Sequence, residues 1–319
     1  MNDEFLNYIQ KEIRPFLNDC VREDTFRGYD GTPLSCYYAL HPQEKAAVVI
    51  VHGFCEFFGK YHEVMYRFYQ EGYSVFFMEL RGHGKSGRPR NQKDQRVSVQ
   101  TFGDYTEDVR FFIQEFVSRK CTSGDILLLG HSMGGLVSAL LLEKYPFLVQ
   151  RAVLTSPLLK INFGKVPEWA INALSVYTRI AGNGEEYAPG QHAFDGEYAF
   201  EDSNYLDRDR YEYQFVQRLN DPAYQTWGGT WSWVKAATEG TEEVLKNADK
   251  IKVPVLILQA GKDKLVRAEG QVALKEKSPY VELKIFPESK HEIFNATKEM
   301  REDWYRTVFN FFQSGSGDA

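Results

Sequence analysis

The sequence predicts an α/β fold: a mostly parallel central sheet of about eight strands, helices on both faces, and an inserted, mostly helical cap. Three observations carry this. Continuous apolar runs such as residues 46–51 (AAVVIV) and 126–129 (ILLL) are the mark of strands buried on both faces. Segments with helical apolar spacing alternate with these runs, as βαβ units require. The alternation stops after Thr155-Ser156-Pro157 and resumes at Val253.

Taken in order, residues 3–18 alternate apolar and polar at helical spacing and form a short amphipathic helix. Strands follow near 22–28 and 34–40. The Asp-Gly in Tyr29-Asp30-Gly31-Thr32 marks the hairpin turn between them. A strand at 46–51, a helix at 61–71, a strand at 73–78 and a long amphipathic helix at 101–119 come next. Strands at 126–129 and 151–155 flank a helix built on the run from Leu136 to Leu142. Residues 158–247 hold Trp169, Trp227, Trp231 and Trp233 in helix-length segments broken by Gly and Pro, with no buried-strand pattern. Strands at 253–258 and 281–286 and a helix near 297–313 close the chain. This divides it into residues 1–157 (first part of the α/β core), 158–247 (cap), 248–313 (second part of the core) and 314–319 (a flexible Ser-Gly tail).

A net charge of −6 argues against nucleic acid as a partner, because phosphate binding needs a basic surface. Arg88-Pro89-Arg90 reads as a solvated loop. Four scattered cysteines lack metal-ligand spacing and fit a reducing compartment. The acidic start, Met1-Asn2-Asp3-Glu4, has no apolar region of a signal peptide, and no stretch of 18 apolar residues exists to span a bilayer. A cytoplasmic location is the expectation. The sequence leaves the oligomeric state open.

Chemistry enters at Gly130-His131-Ser132-Met133-Gly134, between a strand and a helix. A strand, Gly-x-Ser-x-Gly, helix order is a nucleophile elbow: the sharp turn lifts the serine to the sheet edge, where a base can take its proton. The N–H of Met133, at the helix start, points where negative charge would develop. The base and its orienting acid are expected later, in the order acid then histidine. Asp263 follows the strand near 255–259 and His291 follows the strand at 281–286, both at the carboxyl edge where open parallel sheets place their sites. A second oxyanion donor is expected after the first buried strand, in His52-Gly53-Phe54-Cys55-Glu56, with the N–H of Phe54 the candidate. Gly84-Lys85-Ser86 looks like a phosphate loop, but Glu79 stands where its first glycine belongs. His62-Glu63 and His291-Glu292 lack the second histidine of a zinc helix, so no metal site is expected.

These motifs together resemble the α/β-hydrolase superfamily, and more narrowly the lysophospholipase and monoacylglycerol lipase group of serine hydrolases. The resemblance rests on His52-Gly53-x-x-Glu56 with Gly59-Lys60-Tyr61, Arg81-Gly82-His83-Gly84-x-Ser86, Gly130 to Gly135, Leu154 to Pro157, Gly261-x-Asp263 and His291. The stretches Asn204-Tyr205-Leu206 and Gly228-Gly229-Thr230-Trp231 resemble the bacterial lysophospholipase branch. It implies Ser132, Asp263 and His291 as a triad, Phe54 and Met133 N–H groups as an oxyanion hole, no cofactor, and a single-chain lipid ester as substrate. Phe163, Trp169, Ile171 and Leu174 of the cap are then expected to wall an acyl-chain pocket. Substrates of this kind sit in membranes, which gives the cap a reason for transient contact with the inner membrane face. Two positions depart from the pattern: Glu79 stands where relatives carry Asp, and Asp207 stands where Thr is expected. Two other readings remain: an amide hydrolase of the proline iminopeptidase type, whose acidic cap (Glu185-Glu186, Glu201-Asp202) would hold a free amine, and a non-catalytic ligand-binding protein on the same scaffold.

Overall fold

The computed structural model describes residues 1–88 and 95–314, so Pro89, Arg90 and the 315–319 part of the tail lie outside the described residues. A helical stretch opens the chain, α1 (Asp3–Tyr8) and α2 (Arg14–Asp19), joined by a wider π turn at Ile9–Ile13. The hairpin β1 (Val21–Arg27) and β2 (Pro33–Ala39) turns at Gly31, whose φ of 84° a side chain would oppose.

The βαβ part follows: β3 (Ala47–Val51), α3 (His62–Gln70), β4 (Ser74–Met78), α4 (Phe102–Phe111), β5 (Ile126–His131), α5 (Met133–Lys144) and β6 (Arg151–Thr155). Between β6 and the next strand lie α6 (Glu168–Ile180), α7 (Arg208–Asn220) and α8 (Trp231–Asn247). The chain ends with β7 (Val255–Ala260), α9 (Ala268–Lys277), β8 (Val281–Phe286) and α10 (Lys298–Gln313).

Among the described residues eight strands form one sheet in the order β1-β2-β4-β3-β5-β6-β7-β8. β2 runs antiparallel to both β1 and β4, and every other neighbour is parallel. The parallel strands therefore finish along one edge, with Val51 beside Gly130 and His131 beside Thr155. Successive side chains of a strand face opposite layers. Leu128 joins a core with Leu136, Ala236 and Leu274, while Leu127 and Leu129 join one with Phe68, Trp304 and Phe309.

Two elements differ from the sequence expectation. α9 went unread because only Leu274 is a large buried residue on it, with Gly270 and Gln271 completing the buried face. α8 falls in the range expected for the cap, yet Ala236, Ala237 and Val244 bury it in the same core as α5. Among the described residues no helix is long and apolar enough to cross a membrane.

Candidate active site

The turn from β5 into α5 places Ser132 at φ 52° and ψ −116°, a backbone conformation that L side chains avoid. Its neighbours hold it there. The Ser132 N–H donates to the Thr155 carbonyl at 3.0 Å, and its carbonyl accepts from the N–H groups of Gly135 (2.9 Å) and Leu158 (2.9 Å). A Cβ at Gly134 would lie 2.1 Å from the Val51 carbonyl oxygen, so glycine there lets the start of α5 abut the end of β3.

Asp263 follows β7 and His291 follows β8. Nδ1 of His291 lies 2.6 Å from Oδ2 of Asp263, and the other Asp263 oxygen accepts from the N–H groups of Leu265 (2.8 Å) and Val266 (3.1 Å). Burial alone would push the His291 pKa down, but the hydrogen bond and charge of Asp263 outweigh it and hold it above the usual value. Burial likewise opposes charge on Asp263, and the His291 contact with the two N–H donors keeps its pKa below the usual value. The His291 loop is fastened to the Ser132 turn. Ser156, next to the carbonyl that receives Ser132, donates its hydroxyl to the His291 carbonyl at 2.8 Å. The His131 ring, beside Ser132, stands 5.1 Å from the His291 ring, centroid to centroid. The hydroxyl, imidazole and carboxylate singled out from the sequence thus sit on neighbouring loops at one edge of the sheet.

The 52–56 loop leaves β3 at the same edge. His52 is a strut: its Nε2 accepts from the Leu80 N–H at 2.9 Å, and burial pushes its pKa down to about 4. Gly53 donates to the Glu56 carboxylate at 2.5 Å. Among the described residues the N–H groups of Phe54 and Met133 donate to no protein acceptor. The Phe54 ring packs on Trp233 at 4.4 Å, which ties the loop to α8.

Beneath the site is a buried charge cluster that sequence reasoning did not assign. Lys60 Nζ lies 2.5 Å from Glu56 and 2.6 Å from Glu292, and Tyr61 donates its hydroxyl to Glu56 at 2.5 Å. Nδ1 of His131 is 2.9 Å from Glu56. Glu56, His131 and Glu292 are close enough together to share a metal ion, but the Lys60 ammonium already sits between the two carboxylates and supplies their countercharge. Burial works against the Lys60 charge, and Glu292 and Glu56 overcome it, holding its pKa above the usual value. The signal in the sequence was the Glu56, Lys60 spacing of four.

Of the residues expected to wall an acyl pocket, Phe163 and Ile171 are half-buried against the core, whereas Trp169 (74% exposed) and Leu174 (42% exposed) face solvent on α6. Arg88, expected in a solvated loop, is half-buried and donates to the carbonyls of Gly84 and Ser86, both at 3.0 Å, and to Thr226 at 2.8 Å. Both residues that depart from the family pattern are held in structural contacts. Glu79 is fully buried and accepts from the N–H groups of Phe58 (3.1 Å) and Lys85 (2.7 Å); burial raises its pKa to about 7 against those donors. Asp207 caps α7 and pairs with Arg210 at 2.8 Å and Arg301 at 3.0 Å.

A family model described as serine aminopeptidase, S33, matches residues 42–298. A probable lysophospholipase L2 of Haemophilus influenzae is 27% identical over 313 residues, covering 96% of each chain. Lysophospholipase L2 of Escherichia coli K12 is 30% identical over 256 residues, covering 76% of this chain and 71% of its own. Among solved structures, a monoacylglycerol lipase of Paleococcus ferrophilus superposes with a TM-score of 0.67 at 23% identity, covering 87% of this chain and 97% of that one, which shows the shared fold.

Proposed function

The chain belongs to the serine aminopeptidase S33 family, and from that premise we propose a serine carboxylester hydrolase that cleaves single-chain lipid esters, lysophospholipids or monoacylglycerols, through an acyl-enzyme on Ser132. The observation that carries the chemistry is the 2.6 Å contact between His291 and Asp263 on a loop fastened to the turn that strains Ser132.

Ser132 Oγ attacks the ester carbonyl carbon while its proton passes to Nε2 of His291. The carboxylate of Asp263 fixes the Nδ1–H tautomer and stabilises the imidazolium. The oxyanion accepts hydrogen bonds from the N–H groups of Phe54 and Met133. His291 then returns the proton to the leaving alcohol oxygen and the ester bond breaks. In the second half a water attacks the acyl-enzyme, its proton goes to His291, and Ser132 recovers that proton as the fatty acid leaves. No step needs a cofactor.

Phe163 and Ile171 flank the path of the acyl chain. Trp169, Val176, Tyr177 and Ile180 recur at helical spacing on α6 and are 74%, 44%, 67% and 82% exposed, an apolar stripe suited to lie in the headgroup layer of a membrane. Four free thiols fit a cytoplasmic setting, at the inner membrane face.

The amide reading needs free acidic groups in the cap. Two of the four acidic groups named for it are engaged, Glu185 by Gln100 at 2.9 Å and Ser232 at 3.1 Å, and Glu201 by Arg208 at 2.6 Å. A panel of lysophospholipid, monoacylglycerol and prolyl amide substrates tests the choice. The ester reading expects turnover of the first two, abolished by Ser132→Ala. Preferential cleavage of the prolyl amide would replace it.

A further inference from the structure

Arg218 of α7 is 5% exposed, and its hydrogen bonds go to main-chain carbonyls: Tyr224 at 3.0 Å, Thr226 at 2.9 Å and Cys55 at 2.8 Å. The guanidinium lies over the rings of Phe57 (4.7 Å) and Trp227 (5.0 Å). Among the described residues no carboxylate forms an ion pair with it. A buried charge without a carboxylate is costly, and these three carbonyls are what offset it. Two of the three carbonyls are close along the chain and would fix the side chain by themselves. The third is 163 residues away, in the loop between β3 and α3.

Cys55 has a φ of 58°, one of three non-glycine residues with positive φ among the described residues, alongside Ser132 and Ser156. The left-handed region costs an L residue about 1–2 kcal/mol. Cys55 follows Phe54, whose N–H is the proposed oxyanion donor. A rotation of Cys55 to negative φ would turn the peptide units around it and swing its carbonyl away from the guanidinium. A charge-assisted hydrogen bond to that carbonyl opposes the rotation. The loop is closed from the other side by Gly53 donating to Glu56 at 2.5 Å and Glu56 donating to the Gly53 carbonyl at 3.3 Å.

We propose that Arg218 is a positioning residue for catalysis: from α7 it holds Cys55 in the left-handed conformation and so keeps the Phe54 N–H aimed at the developing oxyanion. This rests on the Ser132 esterase reading. It also makes the segment between β6 and β7 part of the catalytic apparatus, since α7 must be seated for the donor to be set.

The test compares Arg218→Met and Arg218→Lys with the wild-type enzyme on a soluble nitrophenyl ester, together with binding of an alkyl trifluoromethyl ketone, whose hemiketal with Ser132 carries an oxyanion. Losing an oxyanion donor outright costs about 10²–10³ in kcat, so a misaimed one is expected to cost about 10–100-fold. The expected result is that fall in kcat with KM nearly unchanged and an equal fall in ketone affinity. Cys55→Gly, which takes positive φ freely, is expected to restore part of the loss in the Arg218→Met background. Should Arg218→Met not fold, Arg218→Lys is read by the same measures. A folded Arg218 variant with wild-type kcat, or one whose loss spares ketone affinity and is untouched by Cys55→Gly, overturns the proposal and leaves Arg218 a structural staple. Wild-type protein that neither turns over the ester nor reacts at Ser132 would instead overturn the esterase reading.

Discussion

His291 and Asp263, from loops after adjacent parallel strands, meet at 2.6 Å with both side chains almost wholly buried. Their meeting couples two titrations. The carboxylate favours protonated imidazole, so the His291 pKa lies above its ordinary 6.5. The proposed general base must be neutral, so activity is expected to fall as pH drops through that raised value. The acid limb of the kcat/KM profile is expected above pH 6.5. Asp263→Asn is expected to move the limb to lower pH and to cut kcat by about 10³–10⁴-fold. A limb unmoved by the substitution would show that Asp263 does not act on His291.

Lys60 offers a test of the buried cluster. Removing one member of a buried charge pair leaves an uncompensated charge and costs about 3–5 kcal/mol. Lys60→Met strands both Glu56 and Glu292, so urea unfolding is expected to show a loss of about that size. A loss below about 1 kcal/mol, the scale of an exposed pair, would mean that water reaches the cluster.

Glu143 on α5 has the opposite character. It is 5% exposed, Oε1 has no hydrogen-bond partner, and burial, with Glu243 nearby, raises its pKa to about 9. Between the unfolded value of 4.5 and that folded value the native state binds the extra proton, so this group's contribution to stability falls as pH rises. Glu143→Leu is expected to stabilise the protein at pH 8 by about 1–3 kcal/mol, with the gain shrinking towards pH 5. Unfolding curves at both pH values check the slope. An equal gain at both would assign the effect to packing alone.

The stripe on α6 predicts a split between surface binding and chemistry. Tyr177→Ser with Ile180→Ser is expected to reduce sedimentation with anionic phospholipid vesicles by several-fold while leaving turnover of a soluble ester within about twofold. Equal loss of both would make the helix part of the active-site wall instead.

Much of this was readable from residue order. The central strands β3, β4, β5 and β7 were legible because their runs are buried on both faces, and the elbow because Gly-x-Ser-x-Gly lies between such a strand and a buried helix. Asp263 and His291 were legible as polar residues just past strand ends in the right order. α9 was not, since one leucine cannot display a period. Nor was Arg218, whose partners are carbonyls, and a main-chain acceptor leaves no letter in the sequence. The exposure of Trp169 escaped for a related reason: an apolar residue reads alike whether it faces a core, a pocket or a membrane.

Intact-mass and peptide mapping after reaction with a fluorophosphonate addresses the proposed nucleophile most directly. One adduct per chain, carried by Ser132 and abolishing ester hydrolysis in step with its formation, is the predicted result. Hydrolysis that persists at full labelling, or an adduct confined to another residue, would contradict it.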